Sequence, residues 1–217
     1  MKSALLFLLL LYGESLIAQD PFEGVITYKV TTRLKNENNP YKDYLLQKYG
    51  DSLQIHISKD GSLMRKYYGK GDNGMDWHVY DSPSNYYYAK WKGIDTIYYY
   101  SCSDFFSELK SIEEGTSEPI LGKPAKYIKI TTFDPIGKET LIINYHYSGE
   151  QFVSAKTYAP YKEGYIDKVY EKSQSHILKY EMDLLHVNVT MEAIRIEPMV
   201  VNRTTFKIPE SMPKKKW

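Results

Sequence analysis

The sequence predicts a mainly β protein in which a single antiparallel sheet carries about two short helices. Three observations lead to that prediction. Twenty-two of the 217 residues are tyrosine, a residue that suits the pleated, half-buried surface of a sheet. Apolar and polar residues alternate along most of the chain, as they do in strands with one buried face. The alternating stretches are separated by short turn signals, and such connections join antiparallel neighbours.

The first strand and the first helix follow closely on residue 19. The stretch 22–32 alternates so that Ile26 and Tyr28 share one face, which predicts a half-buried strand. Asn39-Pro40 then supplies a capping residue and a first-turn proline, and the residues after it have helical spacing. We therefore expect a short helix over residues 40–49.

Five further strands are predicted before residue 102. Alternating stretches are separated there by the turn signals Asp60-Gly61, Pro83-Ser84 and Gly93, and an Asp-Gly pair is a strong hairpin signal. The predicted strands cover residues 53–57, 62–68, 76–81, 85–91 and 94–101.

The second half of the chain begins with a predicted helix and then returns to strands. Phe105, Leu109 and Ile112 form one helical stripe after a capping Ser103 and before Gly115, which predicts a second helix. The segment 151–164, rich in Tyr, Lys, Pro and Gly, is expected to be irregular. Strands are predicted at residues 125–133, 139–147, 175–185, 187–197 and 204–208.

The N-terminal segment predicts export. A basic Met1-Lys2 precedes the apolar run 4–12, which is typical of a secretory signal peptide over residues 1–18 and is too short to span a bilayer. No cysteine stands near its end, so we expect no N-terminal lipid anchor and a mature protein in the periplasm or at the cell surface. One domain is predicted over residues 19–209, followed by a basic tail over 210–217.

Composition and motifs make several function classes improbable. The net charge is +1, whereas nucleic-acid binding needs a basic field. The sole cysteine, Cys102, is expected to pack as a small hydrophobe. The glycine spacing of 69–74 matches a dinucleotide loop, but the residues after it alternate like a strand, so we interpret it as a hairpin loop. We predict no catalytic residue, no metal ligand and no cofactor.

Four segments carry a resemblance to a known family. FEGVITYKV (22–30), ILGKPAKYIKI (120–130), SHILKYEMDLLHVNVTMEAIRIEP (175–198) and FKIPE (206–210) resemble elements of exported, mostly uncharacterised Bacteroidetes envelope proteins with a lipoprotein-carrier-like (LolA-like) half-barrel. The resemblance implies a single curved antiparallel sheet with its helices on the concave side. No site motif of the family matches a position here, so no functional residue is transferred.

The leading hypothesis is a non-enzymatic exported protein that binds a lipid, an acyl chain or a lipoprotein-like apolar ligand in the half-barrel. A single curved sheet leaves a concave apolar face that helices or a ligand must fill. Alternation alone gives the candidate ligand-binding residues Ile26, Tyr28, Leu53, Ile55, Ile57, Tyr86, Tyr88, Tyr98, Tyr100, Ile143 and Tyr145.

Two other hypotheses stay open. The triplets Tyr86-Tyr87-Tyr88 and Tyr98-Tyr99-Tyr100 must place rings on both faces of the sheet. The protein is therefore alternatively a structural or interaction module that docks an envelope protein or a glycan through a tyrosine-rich face. The third hypothesis is an enzyme whose site is assembled from scattered residues.

Overall fold

A computed structural model describes residues 19–69, 74–103 and 105–217, so the predicted signal peptide at 1–18 lies outside the described residues. The structure is 50% strand and 13% helical, which confirms the mainly β prediction. The helices are α1 (Lys42–Gln47), α2 (Ala155–Tyr158) and α3 (Ile166–Ser173). The strands are β1 (Gly24–Leu34), β2 (Ser52–Ile57), β3 (Leu63–Tyr68), β4 (Met75–Asp81), β5 (Tyr86–Trp91), β6 (Ile97–Ser101), β7 (Glu108–Ile120), β8 (Lys123–Asp134), β9 (Glu139–Tyr147), β10 (Lys179–Asp183), β11 (Val187–Pro198) and β12 (Lys214–Lys216).

All twelve strands form one open, curled sheet that is not closed into a barrel. Its order is β12-β6-β5-β4-β3-β2-β1-β11-β10-β9-β8-β7. Strands β1 to β6 form one meander and β7 to β11 form a second. The two meanders are joined where β1 pairs with β11 in antiparallel register. Neighbouring strands are antiparallel, as predicted, except that β12 runs parallel to β6.

The helices α2 and α3 pack on one face of the sheet, which we call the inner face; the opposite face is the outer face. Tyr80 of β4 stacks on Tyr161, between the two helices, with ring centroids 4.2 Å apart. Tyr158 of α2 and Tyr170 of α3 lie 4.3 Å apart. These rings are buried in one apolar core with the inner face, so many tyrosines are core residues.

The helix predicted from Ser103 to Gly115 is wrong. Residues from Glu108 onward form the long edge strand β7, which pairs with β8 in antiparallel register. Pairing with a neighbouring strand outweighed the local helical spacing, as tertiary context often does. Gly115 fits this arrangement because a Cβ there would lie 2.6 Å from the ring of Tyr127 on β8.

Three other segments differ from the predictions. Residues 204–208 are not a strand, because a 3-10 turn, Arg203–Phe206, is capped by the Asn202 side chain, which accepts a hydrogen bond from the Thr204 amide at 2.9 Å. The segment expected to be irregular contains α2. The strand predicted over 175–185 is shorter, because β10 begins only at Lys179.

The structure also bears on the predictions for the C-terminal tail, the glycine-rich loop and Cys102. The lysine side chains of β12 are exposed, but the backbone there pairs with β6, so the expected tail is an edge strand. Strands β3 and β4 pair antiparallel around residues 70–73, which themselves lie outside the described residues. Cys102 is buried in the core, as predicted. None of the helices in the described part of the chain is long and apolar enough to cross a membrane.

Candidate ligand-binding cavity

A cavity of about 270 Å³ lies between the inner face of the sheet and the segment that leads into α3. Strands from both meanders line it, so the curl of the sheet places β3 to β5 and β9 to β11 around one space. Tyr161, Glu163 and Ile166 close it on the helical side. Its volume is close to the lower end of the range of about 300–1,000 Å³ found for small-molecule sites.

The wall formed by β3, β4 and β5 is polar. Arg65 of β3 is half-buried and donates to the hydroxyl of Tyr87 at 3.4 Å. The same hydroxyl bonds to Nδ1 of His78, and the Tyr67 hydroxyl lies 3.3 Å from that nitrogen. Burial, and then the charge of Arg65, lower the pKa of His78 well below its usual value. The imidazole is therefore neutral at neutral pH.

Both tyrosine hydroxyls contact Nδ1 of His78, and neither contacts Nε2, the other ring nitrogen. Its Nε2 is buried and has no hydrogen-bond partner among the described residues. If the two tyrosine hydroxyls donate to Nδ1, the ring proton resides on Nε2. The buried ring then carries a hydrogen-bond donor without a partner among the described residues.

Glu163 faces this wall from a 3-10 turn, Glu163–Tyr165, that precedes α3. Its Oε1 accepts a hydrogen bond from the Tyr100 hydroxyl at 2.6 Å, whereas its Oε2 is buried without a partner among the described residues. Burial raises the pKa of the Glu163 carboxyl, although the Tyr100 hydrogen bond, the Arg65 charge and a hydrogen bond from Tyr161 oppose that effect. Glu163 is therefore protonated more readily than an exposed glutamate.

The opposite wall is mostly apolar, although the rings of Tyr145 and Tyr180 also line it. Strand β2 contributes Leu53 and Ile55, and the second meander contributes Ile143, Met182 and Met191. Methionine is unbranched and polarisable, so it adapts to ligands of different shape. This wall can contact a hydrocarbon chain without leaving a polar group unpaired.

The eleven predicted residues lie in different places. Four line the cavity, namely Leu53, Ile55, Ile143 and Tyr145. Ile26, Tyr28 and Ile57 are buried in the core beside it. Tyr100 reaches the cavity region through its bond to Glu163. Tyr98 lies in an aromatic cluster with Trp91 and Trp217, 5.6 Å and 5.9 Å away.

The placement of Tyr86 and Tyr88 on the concave face is wrong. In the β4–β5 register Tyr87 pairs with the buried Tyr80, whereas Tyr88 pairs with Val79. Tyr87 is therefore the inner residue of the triplet, and its two neighbours point to the outer face. Three tyrosines in a row carry no alternation, so the pattern could not distinguish the faces.

The polar residues of the cavity were missed by sequence analysis. Arg65 and His78 occupy inner positions of alternating strands, next to Tyr67 and Tyr80. A charged or titratable residue on a buried stripe was the signal that could have identified them. Glu163 comes from a turn, for which periodicity gives no indication.

A second polar group lies on the outer face. Ser117 of β7 bonds to Nδ1 of His146 at 2.7 Å, and Nε2 of that ring lies 3.2 Å from the carboxylate of Glu181. In serine hydrolases the serine instead contacts Nε2 and the acid contacts Nδ1. Burial lowers the pKa of His146, with Glu181 opposing. We interpret the group as cross-strand hydrogen bonding that satisfies a buried ring.

No protein-family model matches this chain, and no curated protein matches it. Among the described residues, no group of three or more His, Cys, Asp or Glu side chains is placed to hold a metal ion.

Proposed function

We propose that this protein is an exported, non-enzymatic binding protein that holds a lipid or an acyl chain in the cavity between its curled sheet and α3. We also propose that the protein is related to the LolA-like envelope proteins that its sequence resembles. The observation that supports it is the cavity of about 270 Å³ with an apolar wall built from strands of both meanders. A curled sheet with this much unfilled inner space is suited to hold a ligand.

The first test is recovery of the ligand. The mature protein is purified from envelope extracts of its native host, examined by native mass spectrometry and extracted with organic solvent. We expect a bound mass that disappears on extraction and is recovered in the solvent. Repeated preparations without such a mass would contradict the proposal.

The second test fills the cavity. Met182 is a half-buried residue of the apolar wall, so Met182→Trp should weaken binding of the neutral dye Nile red by about ten-fold or more, since a filled site loses its contact area. The matched control is Met64→Trp, because Met64 is also half-buried but pairs with Val79 on the outer face. Equal loss in both variants would indicate damage to the fold instead of the site.

A second candidate function is docking through the outer face. Tyr86, Tyr88 and Tyr99 form a continuous group there, with ring centroids 6.0 to 6.4 Å apart. These three rings are half-buried, and aromatic groups that are partly open to solvent serve as contact surfaces for proteins and glycans. Substitution of Tyr86 and Tyr88 by serine should abolish such docking and leave Nile red binding unchanged.

A further inference from the structure

We propose that the ligand of the cavity is an anionic amphiphile, whose acidic head group is bound by Arg65 and whose apolar chain extends toward β9, β10 and β11. This inference rests on the proposed function and adds the charge of the head group and the orientation of the chain.

The two walls of the cavity set the orientation. Arg65, Tyr67, His78 and Tyr87 come from β3, β4 and β5, whereas Ile143, Met182 and Met191 come from β9, β10 and β11. Between them in the sheet lie β2, β1 and the apolar side chains of Leu53 and Ile55.

Tyr145 and Tyr180 also line the side of the second meander, but both hydroxyls already have partners: that of Tyr145 donates to the Gly164 carbonyl at 3.4 Å, and that of Tyr180 is hydrogen-bonded to Arg65. An amphiphile therefore satisfies both walls with its head at Arg65 and its chain against the aliphatic side chains of the second meander.

Arg65 has donors to spare. A guanidinium group carries five N–H donors and stays charged at any physiological pH. Arg65 donates to the hydroxyl of Tyr87 at 3.4 Å. A hydrogen bond from Arg65 also opposes the rise that burial causes in the pKa of Tyr180, on β10. The arginine ion pairs of the described residues involve Arg195 and Arg203 instead. The two oxygens of an acid head group can accept hydrogen bonds from the guanidinium N–H groups that remain free on Arg65.

The neighbouring groups form no ion pair with this charge. Burial keeps the His78 ring neutral by lowering its pKa, and no carboxylate of the described residues lies within ion-pair distance of Arg65. A half-buried cation surrounded by neutral hydroxyls attracts an anion strongly, because little water is present to screen it. A cationic head group would instead be repelled by Arg65.

The test compares three amphiphiles of equal chain length: decanoate, decanol and decylamine. Each displaces Nile red from the full mature chain at about pH 7.5, where the carboxylate and the amine are charged. We expect decanoate to bind about ten-fold or more tightly than decanol, because hydrogen bonds to charged groups contribute about 1.5–3 kcal/mol. Decylamine should bind less tightly than decanol.

Variants identify the group that selects the charge. Arg65→Met should remove the preference for decanoate and keep the affinity for decanol, and Arg65→Lys should keep part of the preference. The exposed Arg33 provides the control, because Arg33→Met changes the same net charge outside the cavity. Glu163→Gln should keep the preference, and its loss in that variant would overturn the proposal even if Arg65→Met does not fold.

The outcomes separate this inference from the proposed function. Equal binding of decanoate and decanol would overturn the anionic head group and leave a neutral lipid as ligand. Preference for decylamine would overturn it in favour of Glu163 as the anchor. Failure of all three compounds to bind would overturn the proposed function itself, and this inference with it.

Discussion

The hydroxyl of Tyr100 donates a hydrogen bond of 2.6 Å to one carboxyl oxygen of Glu163, while the second carboxyl oxygen is buried without a partner among the described residues. The loss of water on burial raises the pKa of this carboxyl and outweighs the hydrogen bonds from Tyr100 and Tyr161, which lower it. The folded protein therefore favours the protonated acid, and this preference makes stability depend on pH.

The sign of that dependence can be tested with Glu163→Gln. The carboxyl pKa is raised above its ordinary value of 4.5, so its favourable contribution is fully present below that pH and is lost as the pH rises through the folded-state pKa. We expect the variant to be more stable than the wild type at about pH 8, by about 1 kcal/mol or about 2–4 °C in Tm.

At about pH 4 the two proteins should unfold at similar temperatures, because the wild-type carboxyl is then protonated in both states. The control is Glu118→Gln at an exposed position, which should leave the pH profile unchanged. A profile for Glu163→Gln that parallels the wild type would contradict the prediction.

His176 predicts a loss of stability in acid. Its ring lies against Phe22 and Tyr170, and burial lowers its pKa to about 3. The unfolded chain takes up a proton near pH 6.5 and the folded protein does not, so stability falls as the pH drops through that window. At about pH 4 the loss is on the order of 3 kcal/mol.

Denaturant titrations of His176→Gln should therefore show a shallower fall in unfolding free energy between about pH 6.5 and pH 4 than the wild type. The comparison uses the slope, because the substitution also removes ring packing at every pH. His186 is exposed, and His186→Gln should keep the wild-type slope.

Gly50 is required where the chain enters β2. Its φ is +67°, and an added Cβ would lie 2.1 Å from the carbonyl oxygen of Tyr68. We expect Gly50→Ala to destabilise the protein by about 2–4 kcal/mol, the sum of a left-handed backbone and a backbone clash. Because Tyr49 lines the cavity, Nile red binding should weaken as well.

The matched variant is Gly122→Ala. Gly122 has φ +74° and no heavy atom within 4 Å of the added Cβ, so only the conformational effect of about 1–2 kcal/mol should be measured. Thermal unfolding of both variants separates the two contributions. Equal losses would show that the contact with Tyr68 is unimportant.

Tyr28 connects the sheet to the segment after α3. Its hydroxyl donates to the carbonyl oxygen of Ile177 at 2.5 Å in the buried core. Tyr28→Phe leaves that carbonyl unpaired and should lower the unfolding free energy by about 1–3 kcal/mol. Tyr68→Phe removes a hydroxyl that bonds to Gln54 at an exposed position, and its effect should stay within about 0.5 kcal/mol.

The strands could be predicted because one buried face imposes alternation. Ile26, Leu53 and Tyr145 were found in this way, and each is buried in the core. The alternation failed to predict β7, because most residues of this edge strand are exposed or half-buried and it has no continuous buried face. It also failed at α3, where Ile166, Val169 and Tyr170 follow a glycine-containing turn.

The cavity could be predicted only in part. Its apolar wall follows from alternation, but the approach of β3 to Met182 and Ile143 depends on the curl of the whole sheet. The bond between Tyr100 and Glu163 joins residues far apart in the chain, and no local spacing encodes it. A single sequence therefore predicts which apolar residues line the site better than it predicts how distant strands and turns come together around it.

The pairing of β1 with β11 has a consequence for how the chain folds. Gly24 lies opposite Pro198 and Leu34 opposite Val187, so the junction of the two meanders requires contacts across most of the chain length. Such non-local contacts slow folding, because a large loop must close before any pairing energy is gained. During synthesis, one side of β1 remains an open strand edge until the residues of β11 have been made. Open edges recruit foreign strands, so this protein is expected to fold slowly and to be prone to aggregation while the first meander is unpaired.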